Sequence, residues 1–334
     1  MIHRRAYAKI NLMLSVGPPL PPGASHAGYH PIASWFAPIS LWDDVEVTRG
    51  APSVSIEWAS DAPRPTPIDW PPEKDLAVRA LRALEAHAGR TLDAKLVVRK
   101  RIPVGGGLGG GSSDAAAALL AVRNAFALDI DDAALGAIAA RLGSDVSYFL
   151  DTERDGPEQA PRPAFVEGLG EHIERSPRRR GRLVLVVPEF GCATGPVYKA
   201  FDELVLESDR VRLSAWQVER FARERDGIGP GTPPTPHRVR PELVRERAGK
   251  MQTALQSRLL FNDLAKAAFK VEPRLGTLVT ALKRITREDA HVTGSGSCVF
   301  LLDHDGKIRE RVERARGALE EQVGPLAVLG VDLA

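Results

Sequence analysis

Residues 103–116 read PVGGGLGGGSSDAA, and six of the seven residues from 105 to 111 are glycine. The run is entered from KLVVRKRIP (95–103), which has the character of a strand stopped by Pro103. It is left through SSDAAAALLAVRNAF, a stretch of strong helix formers with Ser and Asp at its start. The local fold is therefore strand, glycine loop, helix. Glycine permits positive φ and close approach of a guest to the backbone. A helix N-terminus adds free amides and a partial positive charge, which together make an anion site. A plain strand-to-helix turn seldom needs more than one or two glycines, so a phosphate is the guest this density points to.

Several phosphate loops compete for the assignment. The Walker pattern needs Lys and Ser or Thr after its last glycine, and no lysine stands there. The HRD and DFG landmarks of protein kinases are absent, and the loop opens into a helix instead of a hairpin. Gly105, Gly107 and Gly110 satisfy the dinucleotide template GxGxxG, with Asp131 and Asp132 about 20 residues on. So dense a glycine run meets almost any glycine template, however. The approach Arg99-Lys100-Arg101 is also unlike the apolar central strand of a dinucleotide site.

Length and charge bound the rest. A chain of 334 residues suggests two domains, and 43% hydrophobic with 26% charged residues is ordinary globular composition. Lys plus Arg number 45 against 43 for Asp plus Glu, so no global charge calls for nucleic acid or an anionic membrane. Cys192 and Cys298 suit neither a disulfide framework nor a metal site, and a reducing cytoplasm is expected. His3, Arg4 and Arg5 precede an apolar stretch, but Lys9 and Asn11 interrupt it and no cleavage signal follows. The longest apolar runs fall far short of the roughly 20 residues that span a bilayer.

Residues 6–16 alternate as a half-buried strand, with Ala8, Ile10, Leu12 and Leu14 on one face and Tyr7, Lys9, Asn11 and Met13 on the other. A Pro- and Gly-rich loop ends in Tyr29 and His30. Strands are expected within 41–58, a proline-broken surface excursion after Trp58, and helices over 73–88 and about 132–142. The basic run RSPRRRGR (175–182) comes before the strand LVLVVPEF and suggests a second domain beginning between about 160 and 180. A Pro- and Arg-rich stretch from about 205 to 250 reads as a surface insertion, disordered in character.

Three pieces, AKINLML at the start, PVGGGLGGGSSDAA in the middle and TGSGS (293–297) near the end, resemble the galactokinase, homoserine kinase, mevalonate kinase and phosphomevalonate kinase (GHMP) superfamily. With GYH (28–30), LGSDV (142–146) and EGLGE (167–171) in the same order, the resemblance spans nearly the whole chain. It is strongest to the branch that phosphorylates a cytidine-diphosphate sugar alcohol in the non-mevalonate isoprenoid pathway. A homoserine or mevalonate type of kinase is the nearest alternative. A non-catalytic nucleotide- or RNA-binding module is the next, with the arginine run as its slight support.

The resemblance implies an α+β, two-domain GHMP fold. An ATP-binding domain would cover 1–165, a C-terminal domain 166–334, and the active site would lie in the cleft between them. It implies ATP and Mg²⁺, a small-molecule cytidine-diphosphate alcohol as partner, no nucleic acid or membrane, and a cytoplasmic monomer or weak homodimer. Lys9 and Asp145 would flank the acceptor hydroxyl. Pro103, Val104, Gly105, Gly106, Gly107, Leu108, Gly109, Gly110, Gly111, Ser112 and Ser113 would wrap the triphosphate, with Ser113 also reaching the metal. Asn11, Tyr29, His30 and Tyr198 would bind the acceptor, the last three at its cytosine. The chain departs from the family where Asp-Asn-Leu often stands, having Lys74-Asp75-Leu76, and Ser147 replaces the proline usual after the LGxDV motif.

Overall fold

The computed structural model describes residues 1–153, 156, 158–204, 239–251 and 255–334. Two sheets lie face to face between helical layers. Strand β1 (Ile2–Val16) pairs antiparallel with β2 (Ile32–Arg49) along its whole length. β3 (Ser53–Trp58) runs parallel to β4 (Ala94–Lys100), which in turn pairs antiparallel with β2. Helices α1 (Leu76–Ala88), α2 (Gly110–Phe126), α3 (Asp132–Leu142) and the short α4 (Val146–Phe149) cover one face. β5 (Ala164–Gly168) returns to pair with β2, and β6 (His172–Arg175) pairs with β5. A boundary at 165/166 would cut β5; the chain leaves this sheet only after Arg175.

The second sheet follows the order β11-β7-β10-β9. Its central strand β7 (Arg182–Pro188) shows why the sheet is buried on both sides. Leu183, Leu185 and Val187 share a core with Ala8, Ile10 and Leu12 of β1, while Val184 and Val186 face helices on the outer side. Those helices are α5 (Thr194–Leu204), then, after α6 (Pro241–Lys250) and β8 (Phe261–Asn262), α7 (Ala265–Val271) and α8 (Pro273–Thr286). β9 (His291–Val292), β10 (Val299–Leu302), α9 (Ile308–Arg314), α10 (Arg316–Val323) and β11 (Leu326–Asp332) complete the unit. β8 adds to β1 in parallel at Met13 and Leu14, so β1 is central and not an edge.

Two expectations change. β1 is buried on both faces because the second sheet covers Ala8, Ile10 and Leu12 while helices cover the other side, so it is not half-buried. The expected insertion at about 205–250 is ordered at its end: α6 buries Val244 and Ala248 in the core between the sheets. Residues 205–238 of that stretch lie outside the described residues. Arg178 donates to the carbonyls of Ala160, Pro161 and Ala334, tying the C-terminal residue to the segment before β5.

Asp151, just after α4, accepts from the Arg162 backbone N–H at 2.8 Å and from its guanidinium at 2.8 and 3.0 Å. Burial pushes the carboxyl up, but the Arg162 hydrogen bonds outweigh it and hold the value at about 2. A carboxyl depressed on folding stabilises fully above its ordinary value of 3.8 and loses that stabilisation as pH falls through about 2. Asp151→Asn is expected to cost about 1.5–3 kcal/mol at pH 7, the worth of hydrogen bonds to a charged group. The difference from wild type should shrink in thermal melts as pH is lowered from 5 to 2.

Candidate active site

The glycine loop takes the strained conformations its composition permits. Gly105, Gly107 and Gly109 have φ of 74°, 78° and 71°. Gly109 is the N-cap of α2, and Ser113 is the first residue whose N–H returns to it, at 2.9 Å. The amides of Gly110, Gly111 and Ser112 therefore have no intrahelical acceptor and remain available at the helix N-terminus.

A second glycine turn, residues 293–298, clasps the first. Cys298 N–H donates to the Gly106 carbonyl at 3.2 Å, and the Thr293 hydroxyl lies 3.4 Å from the Gly107 carbonyl. Gly107 and Gly296 pass so closely that a Cβ on either would overlap the other turn's backbone. Asn262 of β8 holds this turn from behind, its amide donating to Val292 O at 2.9 Å and Gly294 O at 2.7 Å. Sequence reading did not find Asn262, because nothing local connects a strand residue to a turn 30 residues later.

Lys9 reaches the same loop from β1. Its backbone N–H donates to Leu108 O at 2.9 Å, next to a register shift between Tyr7 and Lys9 in the β1–β2 ladder. The residue is 4% exposed. Its ammonium donates to Asn11 Oδ1 at 2.8 Å and Gly107 O at 3.1 Å, lies over the Phe36 ring at 4.7 Å, and stands 3.5 Å from Asp145 Oδ2. A buried cation needs such partners to offset its lost hydration. Asn11 is itself locked, donating to Ser34 Oγ at 2.9 Å while its N–H meets Thr293 Oγ1 at 3.0 Å. Asn11 therefore orients Lys9.

Asp145 precedes α4 in the N-cap position, yet its side chain makes no capping hydrogen bond. The cap role that this position suggests is thus not the one its carboxylate takes. The structure brings Lys9 and Asp145, 136 positions apart in the chain, to one point beside the glycine loop.

His30 and Tyr198 meet with ring centroids 4.9 Å apart. His30 Nδ1 donates to Gly17 O at 2.8 Å, which turns Nε2 toward Asp202 Oδ2 at 3.5 Å. Phe201 of α5 backs the imidazole edge-on at 6.1 Å. Burial pushes the Tyr198 phenol up to about 12, so it is a hydrogen-bond donor at neutral pH. Tyr29 is not in this cluster: it is 63% exposed, and its ring packs edge-on against His26 at 5.8 Å.

A cleft of about 260 Å³ follows the loop from Pro103 to Gly111 and is closed by Trp70, Lys74, Asp75, Leu76, Lys100, Ile102 and Asp114. A larger depression of about 690 Å³ at Arg49, Arg90 and Phe126 shares no residue with it. Under the cleft lies a buried charge cluster that sequence reading missed. Lys100 Nζ donates to Asp43 and Asp114 at 2.6 Å each, and Asp43 also accepts from the N–H groups of Arg101 and Ile102. Burial alone would lower the Lys100 ammonium, but Asp114 and Asp43 outweigh it and hold it above the ordinary lysine value. Asp114 is pushed up by its own burial. The cluster fixes the end of β4 to the first turn of α2, and so fixes both ends of the loop.

The donor set bears on a divalent cation. Among the described residues no three His, Cys, Asp or Glu side chains gather as a metal cage. Asp145 is a single carboxylate, 27% exposed, beside a loop with two hydroxyls at its helical end. That fits Mg²⁺, which takes one or two protein oxygens and completes its shell with substrate phosphates and water. Ser113 is only 2% exposed, whereas Ser112 is half-buried and more open to solvent.

Residues 75–151 match the family described as GHMP kinases N terminal domain. The 4-diphosphocytidyl-2-C-methyl-D-erythritol kinase of Anaeromyxobacter sp. is 33% identical over 325 residues, covering 95% of this chain and 86% of that protein. The kinase of the same name from Nocardioides sp. is 33% identical over 304 residues, covering 89% and 87%. A crystal structure of 4-(cytidine 5'-diphospho)-2C-methyl-D-erythritol kinase superposes with a TM-score of 0.65 at 27% identity, covering all of both chains. The mevalonate kinase of L. major, at 15% identity and a TM-score of 0.61 over 100% of this chain and 96% of its own, shares the fold. With its glycine loop, second glycine turn and Lys–Asp pair carried on that fold, the chain belongs to the 4-diphosphocytidyl-2-C-methyl-D-erythritol kinase family of the GHMP kinases.

Proposed function

We propose that this protein transfers the γ-phosphoryl group of ATP to the 2-hydroxyl of 4-diphosphocytidyl-2-C-methyl-D-erythritol, in the non-mevalonate route to isoprenoid precursors. The observation that carries this reading is the meeting of Lys9 and Asp145 at the glycine loop, 3.5 Å apart, in a member of this kinase family. Phosphoryl transfer asks for in-line positioning and charge stabilisation more than for covalent chemistry. The free amides at the start of α2 hold the triphosphate. Asp145 orients the acceptor hydroxyl and takes its proton as the new P–O bond forms, and the Lys9 ammonium favours the developing alkoxide charge. The hydroxyls of Ser112 and Ser113 at the start of α2 would hold Mg²⁺, which neutralises phosphate charge when bound.

His30 and Tyr198 form the pyrimidine pocket, an aromatic face with imidazole and phenol donors at its edge. Tyr29 is close enough in sequence to join them only if its loop closes over the base. Reduced, buried cysteines and balanced charge suit work in the cytoplasm.

The test is ADP release with ATP, Mg²⁺ and the cytidyl-methylerythritol acceptor, beside homoserine and mevalonate. Turnover with the first alone supports the reading; turnover only with another alcohol overturns it. His30→Ala is expected to raise KM for the acceptor by about tenfold or more, the worth of one stacked base contact. KM for ATP should stay near wild type, and steady-state kinetics with each substrate varied would check both.

A further inference from the structure

One face of α5 grips His30. Tyr198, Phe201 and Asp202 stand at i, i+3 and i+4 of that helix, so their side chains project from the same side. Tyr198 and Phe201 meet the imidazole as rings, and Asp202 Oδ2 lies 3.5 Å from its Nε2. On the opposite edge Nδ1 is bonded to Gly17 O, and Gly17 is itself pinned, its N–H donating to Pro31 O at 2.8 Å. The side chain of His30 is 4% exposed and that of Asp202 32%. Among the described residues Asp202 makes no other hydrogen bond or ion pair. A carboxylate serving only the surface would pair with a lysine or arginine, as the adjacent Glu203 does with Lys270 at 2.6 Å. The carboxylate of Asp202 is instead committed to one imidazole.

We propose that Asp202 is the positioning residue of His30, fixing the imidazole against Tyr198 so that the pyrimidine pocket is set before the acceptor enters. The proposal rests on the reading of His30 and Tyr198 as that pocket. A single bond at Nδ1 leaves the ring free to swing about that contact. A charge opposite the other nitrogen removes this freedom, and a ring ordered in advance loses less entropy when the base binds. The separation of 3.5 Å is longer than a hydrogen bond, so Asp202 acts through its charge. A carboxylate offers only acceptors and would repel a diphosphate, so Asp202 is no ligand for the charged part of the acceptor. Its effect reaches the substrate through His30.

The experiment titrates the full-length protein calorimetrically with CMP and with ADP, and measures steady-state kinetics with the cytidyl-methylerythritol acceptor varied. Asp202→Asn keeps the shape of the side chain and removes its charge. It should bind CMP about fivefold more weakly and raise KM for the acceptor by the same factor, with kcat and ADP affinity within about twofold of wild type. Asp202→Ala should move the same quantities in the same direction, and it decides the matter if Asp202→Asn does not fold. In a His30→Ala background, Asp202→Asn should cost less than about twofold further in CMP affinity, because the residue through which it acts is gone. The proposal is overturned if Asp202→Asn binds CMP like wild type, if it weakens CMP equally with and without His30, or if ADP affinity falls as far as CMP affinity. Wild type that binds ADP and not CMP would remove the pyrimidine pocket and this proposal with it. A His30→Ala protein that loses CMP affinity, beside an unaffected Asp202→Asn, would leave the pocket standing and remove Asp202 from it.

Discussion

Asp145→Asn should lower kcat by about a thousandfold, within the 10²–10⁴ that a positioned general base contributes. The substitution is nearly isosteric, and Asp145 makes no capping bond that α4 needs. Its effect should therefore fall chiefly on turnover, with the affinity for ADP close to wild type and a smaller drop in melting temperature, because the buried Lys9 ammonium keeps Asn11 and Gly107 O but loses its carboxylate. Lys9→Met should lower kcat at least as far, but it is the less clean variant. The ammonium also donates to Asn11 Oδ1 and Gly107 O in a buried setting, so its removal leaves the two acceptors only the Thr293 hydroxyl, 3.4 Å from each, and costs about 1–3 kcal/mol of stability for the one left unmet. The pair is thus separable by nucleotide binding: Asp145→Asn keeps full ADP affinity, whereas Lys9→Met loses ADP affinity as well as stability. An Asp145→Asn enzyme that retains a tenth or more of wild-type kcat would remove the proton-accepting role.

Gly296→Ala is the second large effect. The new methyl group would overlap the backbone of Gly106 and Gly107, and backbone cannot yield as a flexible side chain does. Overpacking of a tight site costs about 1–3 kcal/mol, occasionally more. Here the relief must come from moving one glycine turn off the other. That displaces Gly107, whose carbonyl also anchors Lys9, so nucleotide binding and turnover fall together. The expected result is a lowered melting temperature, ADP affinity reduced by more than about tenfold, and kcat reduced in proportion to the loop's displacement. Gly195→Ala is the control, because nothing lies within 4 Å of its added methyl. Equal ADP affinity in Gly296→Ala and wild type would show that the two turns move independently.

Much of the site is legible in the chain because its signals are local. A glycine loop between strand and helix needs only neighbours in sequence, although α2 begins at Gly110, two residues ahead of the expected start at Ser112, with Gly109 as N-cap and no side-chain cap. The His30 and Tyr198 assignments came through resemblance, and these two rings do meet; Tyr29, adjacent to His30, does not join them, since a loop residue's direction depends on what the loop packs against. What stayed hidden has a common cause. Lys100 looks like one more base in Arg99-Lys100-Arg101, yet it alone of the three turns inward, because β4 alternates and its inner neighbours Asp43 and Asp114 come from other elements. Val244 and Ala248 sit in a stretch whose composition is that of a surface segment, and only the gap between the two sheets makes them core.

The sequence by itself determined where the backbone can turn, which segments are strands and helices, and which residues are able to carry phosphoryl-transfer chemistry. Those properties follow from φ preferences, side-chain periodicity and the chemistry of single residues, all of which are short-range. The tertiary structure alone decided that β1 is buried on both faces, that a second glycine turn grips the first, and that Lys9 and Asp145 face each other across the loop. Each of these depends on burial and electrostatics between segments more than 100 residues apart, where the cost of an unpaired buried charge selects the partner.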